Sequence, residues 1–251
     1  LSFLTKIAQP DYVIMTNIGL SHIEFFKHQR QLCLGKAEIF RKASKWQSYK
    51  RHAFINFNTP YHELLAEKAQ KAEYVVLPFK GEDKLAENIN ACYTIAQHLG
   101  VSNDLINQGI KQFQTSAKRL KLIRTSTVRI IDDTYNSNPA GVEYALTYLA
   151  TFKGRKVAVL GSMLELGKHS EKAHQQIEAL LMNSNIDLCV TFGEEFKPVK
   201  SKNVSIIHFE DKAAMHDYLK VECKFGDVIL VKGSRGLKME ETVECLQSFF
   251  N

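Results

Sequence analysis

Apolar runs and amphipathic runs take turns along this chain. In the first half, short β-branched or aromatic runs at 11–18, 53–57 and 74–79 read as strands. In the second half the same reading covers 127–132, 156–160, 188–192, 204–209 and 227–232. Between them, apolar residues recur at helical spacing. Residues 29–44 place Leu32, Ile39 and Phe40 on one side, and a helix opened by Pro60 runs to about Lys71. Further helices are predicted at 84–99, 103–113, 140–152, 171–183, 211–221 and 238–250. Strands alternating with helices of roughly 10–15 residues predict βαβ units and parallel sheet, an α/β fold.

The helical pattern breaks at 120–127, within "RLKLIRTST". A chain of 251 residues suits two domains of roughly 120 residues each. The expected division is 1–124 and 125–251. The opening "LSFLTKIAQPDYVIMTNIG" reads as an entry in mid-domain.

Composition narrows the class. No apolar run approaches the roughly 18–20 residues of a membrane span, and no signal peptide is visible. Five cysteines (33, 92, 189, 223 and 245) form no C-x-x-C pair and are odd in number, which points to reduced thiols and a cytoplasmic protein. Net charge is +6, from 33 basic and 27 acidic residues. The densest basic group, "KASKWQSYKRH" at 42–52, lacks interleaved stacking aromatics and reads as a solvated face, with no nucleic-acid partner. A mild positive bias suits polyanionic small substrates.

Open parallel sheets bind ligands beyond the carboxyl ends of their strands. The loops to read are therefore "DDTYNSNP" (132–139), "GSMLELGKHS" (161–170), "FGEEF" (192–196) and "KGSRG" (232–236). Asn138 before Pro139 fits an N-cap followed by proline at the first helical position. Asp132, Asp133, Tyr135 and Asn136 have no such explanation. Two carboxylates at a sheet mouth suit hydroxyl donors such as a ribose, or else brace the scaffold. Ser170 reads as an N-cap and Glu171 as a first-turn acid, while Glu165 has no evident structural role. Lys232, Ser234 and Arg235 lie between a buried strand and a helix start, either as an anion site or as solvated cations on a turn. Asn17 and His22 follow the first strand. A lone histidine is more often structural than a ligand, and Lys36 reads as an ordinary helix-surface lysine.

There is no G-x-x-x-x-G-K-[ST] loop and no G-x-G-x-x-G turn. H-E-x-x-H and G-x-S-x-G are also missing, which leaves zinc-peptidase and serine-hydrolase chemistry without support.

Taken together, "TNIGLSHIE", "GKAEIF", "DDTYNSNP", "GSMLELGKHSEKAH" and "VKGSRGLKMEE" resemble the Mur ligase family, in order and spacing over nearly the whole chain. The Y-N-x-N and G-x-M-x-E-L-G signatures resemble the branch that joins D-alanyl-D-alanine to UDP-N-acetylmuramoyl-tripeptide. The resemblance implies the later part of a central ATPase domain followed by a Rossmann-like C-terminal domain. It also implies a monomeric, ATP- and Mg²⁺-dependent acid–D-amino-acid ligase of peptidoglycan synthesis, and hence of cell-wall growth, shape and division. His22 matches a magnesium ligand, and Lys36 matches a lysine that the family carries as a carbamate beside Mg²⁺. Asn88 matches an adenine contact and Arg119 a nucleotide contact. Asp133 matches the ribose-binding aspartate, with Tyr135, Asn136 and Asn138 in its loop. Lys232, Ser234 and Arg235 match the loop near the incoming dipeptide. The chain departs from the family pattern at Lys84-Leu85, Ala117-Lys118 and Ser162, and its segment between 79 and 88 is short. Another Mur or folylpolyglutamate-type ligase, or a non-catalytic nucleotide- or partner-binding module, are the alternatives.

Overall fold

The computed structural model describes residues 1–42, 50–113, 118–196 and 204–251. It divides into two compact units, Leu1–Phe113 and Gln114–Asn251. Most of the basic group at 42–52 lies outside the described residues. Its member Arg51 is not solvated as expected. It is buried, with Nη1 3.1 Å from the Tyr74 hydroxyl and the guanidinium 4.1 Å from the Tyr74 ring centre.

The first unit opens with helix α1 (Ser2–Ala8), then strand β1 (Tyr12–Met15), α2 (Gln29–Ala37), β2 (Arg51–Asn56), α3 (His62–Lys71), β3 (Tyr74–Phe79), α4 (Lys84–His98) and α5 (Asn103–Gln112). The strands form a parallel sheet in the order β1-β2-β3. Central β2 is buried along nearly its whole length, as a parallel strand covered on both faces must be. Pro78 is tolerated because β3 lies at an edge. Asp83 caps α4 through the Ala86 N–H at 2.8 Å, and Ser102 caps α5. The short link from β3 to α4 depends on Gly81: a Cβ there would fall 2.2 Å from the Glu87 nitrogen. The expected helix over 29–44 stops at Ala37. Gly35 weakens its last turn, Glu38 turns aside to accept the Ser2 N–H at 2.9 Å, and Phe40 folds into the core.

The second unit comprises β4 (Lys121–Arg124), β5 (Arg129–Asp133), α6 (Pro139–Ala150), β6 (Lys156–Gly161), α7 (Ser170–Met182), β7 (Leu188–Phe192), β8 (Ser205–Phe209), α8 (Lys212–Glu222), β9 (Val228–Lys232) and α9 (Glu240–Phe250). Its six-stranded sheet runs β4-β5-β9-β6-β7-β8, antiparallel only between β4 and β5. The core gathers Ile130, Val157, Val190, Ile229 and Val231 from the strands with Met215, Leu219 and Leu246 from the helices. The last strand, β9, inserts between β5 and β6, so the loops after β5, β6 and β9 emerge side by side. That insertion positions the site.

Candidate functional site

In the second unit the functional side chains gather at the carboxyl ends of β5 and β9. Asp133 and Lys232 are the final ladder pair of these strands. Lys232 Nζ lies 2.6 Å from Asp133 Oδ2 and 2.9 Å from the Asn136 carbonyl oxygen. The Leu120 N–H donates to Asp133 Oδ1 at 3.2 Å. Burial pushes the Asp133 carboxyl up, opposed by the Lys232 ammonium and the Leu120 N–H.

The other aspartate is committed locally. Asp132 is buried, and its Oδ1 accepts from Thr134 through both the hydroxyl (2.6 Å) and the N–H (3.1 Å). Of the two carboxylates left open by the sequence, Asp132 thus braces the turn. Tyr135 is exposed, with the Arg119 guanidinium 4.2 Å from its ring centre. Asn136 Oδ1 accepts the Ser137 N–H at 2.8 Å, and the Ser137 hydroxyl is buried without a hydrogen-bond partner. Asn138 caps α6 through the Gly141 N–H at 2.9 Å.

Beyond β9, Ser234 is buried and its Oγ accepts the Leu164 N–H at 2.8 Å, tying this loop to the one after β6. Arg235 is exposed and reaches Glu240 Oε1 at 3.3 Å, while Lys118 reaches the same oxygen at 2.9 Å. Burial pushes the Glu240 carboxyl up, but the two cations outweigh it and its pKa is lowered. Its Oε2 is buried without a hydrogen-bond partner. Lys118, Tyr135, Asn136 and Arg235 line an open cleft of about 540 Å³. A larger depression of about 1040 Å³ runs along Gly154–Lys156 and Met182–Asp187. It lies at the amino ends of β6 and β7, the wrong end of a parallel sheet for a ligand.

Sequence reasoning missed Lys118 and Glu240. Lys118 registered only as a departure from a pattern, and Glu240, in the first turn of α9, drew no reading of its own. Ser170 is corrected: it is the first residue of α7, not its cap. It is buried and hydrogen-bonded to Glu195 and, at 3.3 Å, to His174 Nδ1. Glu171 sits in the first turn as expected. Glu165 holds a left-handed backbone, φ 63°. Ser162 is buried, accepting the Glu195 N–H at 3.2 Å.

In the first unit, β1 ends at Met15, so Asn17 lies in the loop that follows. Thr59 Oγ1 accepts the Ile18 N–H at 2.6 Å and donates to Asn17 Oδ1 at 3.1 Å. His22 is exposed, at φ 64°, ahead of a 3-10 turn at Ile23–Phe25. Lys36 is not the surface lysine expected. It is half-buried, with Nζ 3.5 Å from the Asn17 carbonyl, and burial lowers its pKa. Asn88 is exposed on α4, where Lys84 pairs with buried Glu87 at 2.8 Å.

These residues do not make a Mg²⁺ site by themselves. A hard cation takes oxygen ligands, whereas His22 offers nitrogen and Lys36 an ammonium. No group of three or more His, Cys, Asp or Glu converges among the described residues. A Lys36 carbamate would change that donor set, and a lowered pKa enriches the neutral amine that takes up CO₂.

The description "Mur ligase middle domain" matches residues 2–118, and "Mur ligase, glutamate ligase domain" matches 118–235. The UDP-N-acetylmuramoyl-tripeptide–D-alanyl-D-alanine ligase of Haemophilus influenzae is 27% identical over 282 residues. That alignment covers 98% of this chain and 61% of the relative. A MurF structure from Acinetobacter baumannii superposes with a TM-score of 0.82 at 22% identity, covering 98% of this chain and 62% of that one. MurF from Thermotoga maritima in complex with ADP gives 0.80 at 24%, covering 99% and 64%. The chain thus spans about three fifths of the length of these relatives. It belongs to the Mur ligase family, carrying that family's middle domain followed by its C-terminal domain.

Proposed function

We propose that this chain serves an ATP-dependent amide ligase that joins D-alanyl-D-alanine to UDP-N-acetylmuramoyl-tripeptide in cytoplasmic peptidoglycan synthesis. The observation that carries the proposal is the group at the carboxyl ends of β5 and β9. There an oriented carboxylate, Asp133, stands beside the Arg119–Tyr135 stack, and Lys118 and Arg235 face the cleft. A carboxylate accepts the hydroxyls of a ribose, and exposed cations attract phosphate or carboxylate. The named relatives support the acceptor and donor.

In this reading ATP transfers its γ-phosphoryl group to the tripeptide's terminal carboxylate, giving an acyl phosphate and ADP. The dipeptide amine attacks the acyl carbon, the C–O bond to phosphate breaks, and the amide and inorganic phosphate leave, with the amine's proton released. Side chains of this chain contribute position and charge. Asp133 holds the ribose, Arg119 and Tyr135 flank the nucleotide, and Arg235 receives the dipeptide carboxylate. Lys36, once carbamylated, and His22 are the positions proposed to meet Mg²⁺, whose chemistry when bound is neutralisation of phosphate charge.

The test is ADP titrated into the chain and followed by NMR. Resonances of residues 133–138 shift, and Asp133→Ala abolishes the shift; an unmoved loop sinks the reading. Because the 251 residues hold no phosphate-binding loop sequence, tripeptide-dependent ADP release by this chain alone is expected to be nil.

A further inference from the structure

We infer that Lys232 is a positioning residue: its ammonium holds the Asp133 carboxylate and the Asn136 carbonyl in place and touches no substrate itself. The inference rests on the nucleotide reading of Asp133.

Exposure separates Lys232 from the other cations of the site. The side chains of Arg235 and Lys118 are 60% and 31% exposed, whereas that of Lys232 is 5% exposed. A cation meant for an incoming anion must present its N–H groups to the cleft. Two of the three N–H bonds of Lys232 are already spent, on Asp133 Oδ2 at 2.6 Å and the Asn136 carbonyl at 2.9 Å. The first turn of α6 closes over it: a Cβ added at Gly141 would lie 3.6 Å from both Cε and Nζ.

What this arrangement does is pin two things at once. Asp133 Oδ1 is held by the Leu120 N–H and Oδ2 by Lys232, so the carboxylate cannot rotate. Each oxygen keeps a lone pair for a hydroxyl donor. The bond to Asn136 fixes the backbone of the loop that carries the Tyr135 ring. One buried ammonium therefore aims both a hydroxyl acceptor and an aromatic face.

The test uses the 251-residue chain with Lys232→Met, Asp133→Asn and the double variant. Two readouts are taken, the ¹³C NMR titration of the Asp133 carboxyl and adenosine affinity by NMR. Lys232→Met is expected to raise the carboxyl midpoint, because the cation that opposes burial is gone. It weakens adenosine binding roughly tenfold at neutral pH, an effect that shrinks to the part carried by the Asn136–Tyr135 loop in the Asp133→Asn background. Should Lys232→Met fail to fold, the double variant leaves no buried unpaired charge, and its recovery of a cooperative thermal transition carries the same conclusion. Additive losses of adenosine affinity overturn the inference, as does an unmoved Asp133 titration. So does a loss confined to D-alanyl-D-alanine binding. If Asp133→Asn leaves adenosine binding intact, the nucleotide reading of Asp133 falls, while the carboxyl titration still decides what Lys232 does.

Discussion

Arg119 lays its guanidinium 4.2 Å from the centre of the Tyr135 ring, joining the stem of the second unit to the loop after β5. Tyr135 is exposed, so the contact contributes only about 0.5–1 kcal/mol to folding. Its worth lies in holding a flat cationic face beside the cleft. Tyr135→Ala is expected to leave the thermal midpoint nearly unchanged and to weaken adenine-nucleotide binding roughly fivefold to thirtyfold. Calorimetric unfolding and a nucleotide titration check the two halves separately.

Asn138 stabilises α6 from outside, through the Gly141 N–H at 2.9 Å. Asn138→Ala is expected to cost about 0.5–2 kcal/mol, and Asn138→Asp or Asn138→Ser to restore most of it. Urea denaturation measures this. A loss confined to ligand binding, with stability untouched, would show that capping is not its role.

His174 makes folding pH-dependent. It is buried, its Nε2 accepts the Met163 N–H at 2.9 Å, and its Nδ1 donates to the Ser170 carbonyl at 2.8 Å. The bond from Met163 requires a neutral ring, because Nε2 must keep its lone pair, and burial lowers the His174 pKa below the ordinary 6.5 against the opposing Ser170 bond. A lowered folded pKa means the unfolded chain takes up protons first. The stability His174 lends is therefore complete above about 6.5 and drains away as pH falls toward the lowered folded value. Burial lowers His52 and His216 in the same direction. Urea unfolding should show stability falling from pH 7.5 to pH 5, and His174→Gln should flatten part of that slope.

Arg155 clamps the far end of the second sheet. It meets Asp227 at 2.9 Å and Glu222 at 2.8 Å, and Asp227 is buried. Arg155→Met strands that carboxylate, at a cost of roughly 1–3 kcal/mol, between the exposed and the fully buried limits for an ion pair. Adding Asp227→Asn should recover much of the loss in chemical denaturation, with nucleotide binding unaffected in both variants.

Much of the alternation was legible because parallel strands and their covering helices differ in period. β9 read as an apolar run over Val228–Val231, and α6 announced itself through Asn138-Pro139. α1 and β4 went unread. Only Thr5 of α1 is buried, so its apolar residues mark no core-facing stripe, and β4 is a four-residue edge strand without a strong pattern. Lys118 and Glu240 stand 122 positions apart and meet through folding alone.

The local pattern by itself determined the class of fold, most elements and the loops where chemistry gathers, because period and capping are properties of neighbours in sequence. Only the tertiary structure decided which polar residue does what. Placing β9 between β5 and β6 turned Asp133 and Lys232 into a ladder pair, while Asp132, one residue earlier on the same strand, closed onto Thr134. Side chains alternate across a strand, so a single step along β5 separates a carboxylate held at the cleft from one spent on a turn.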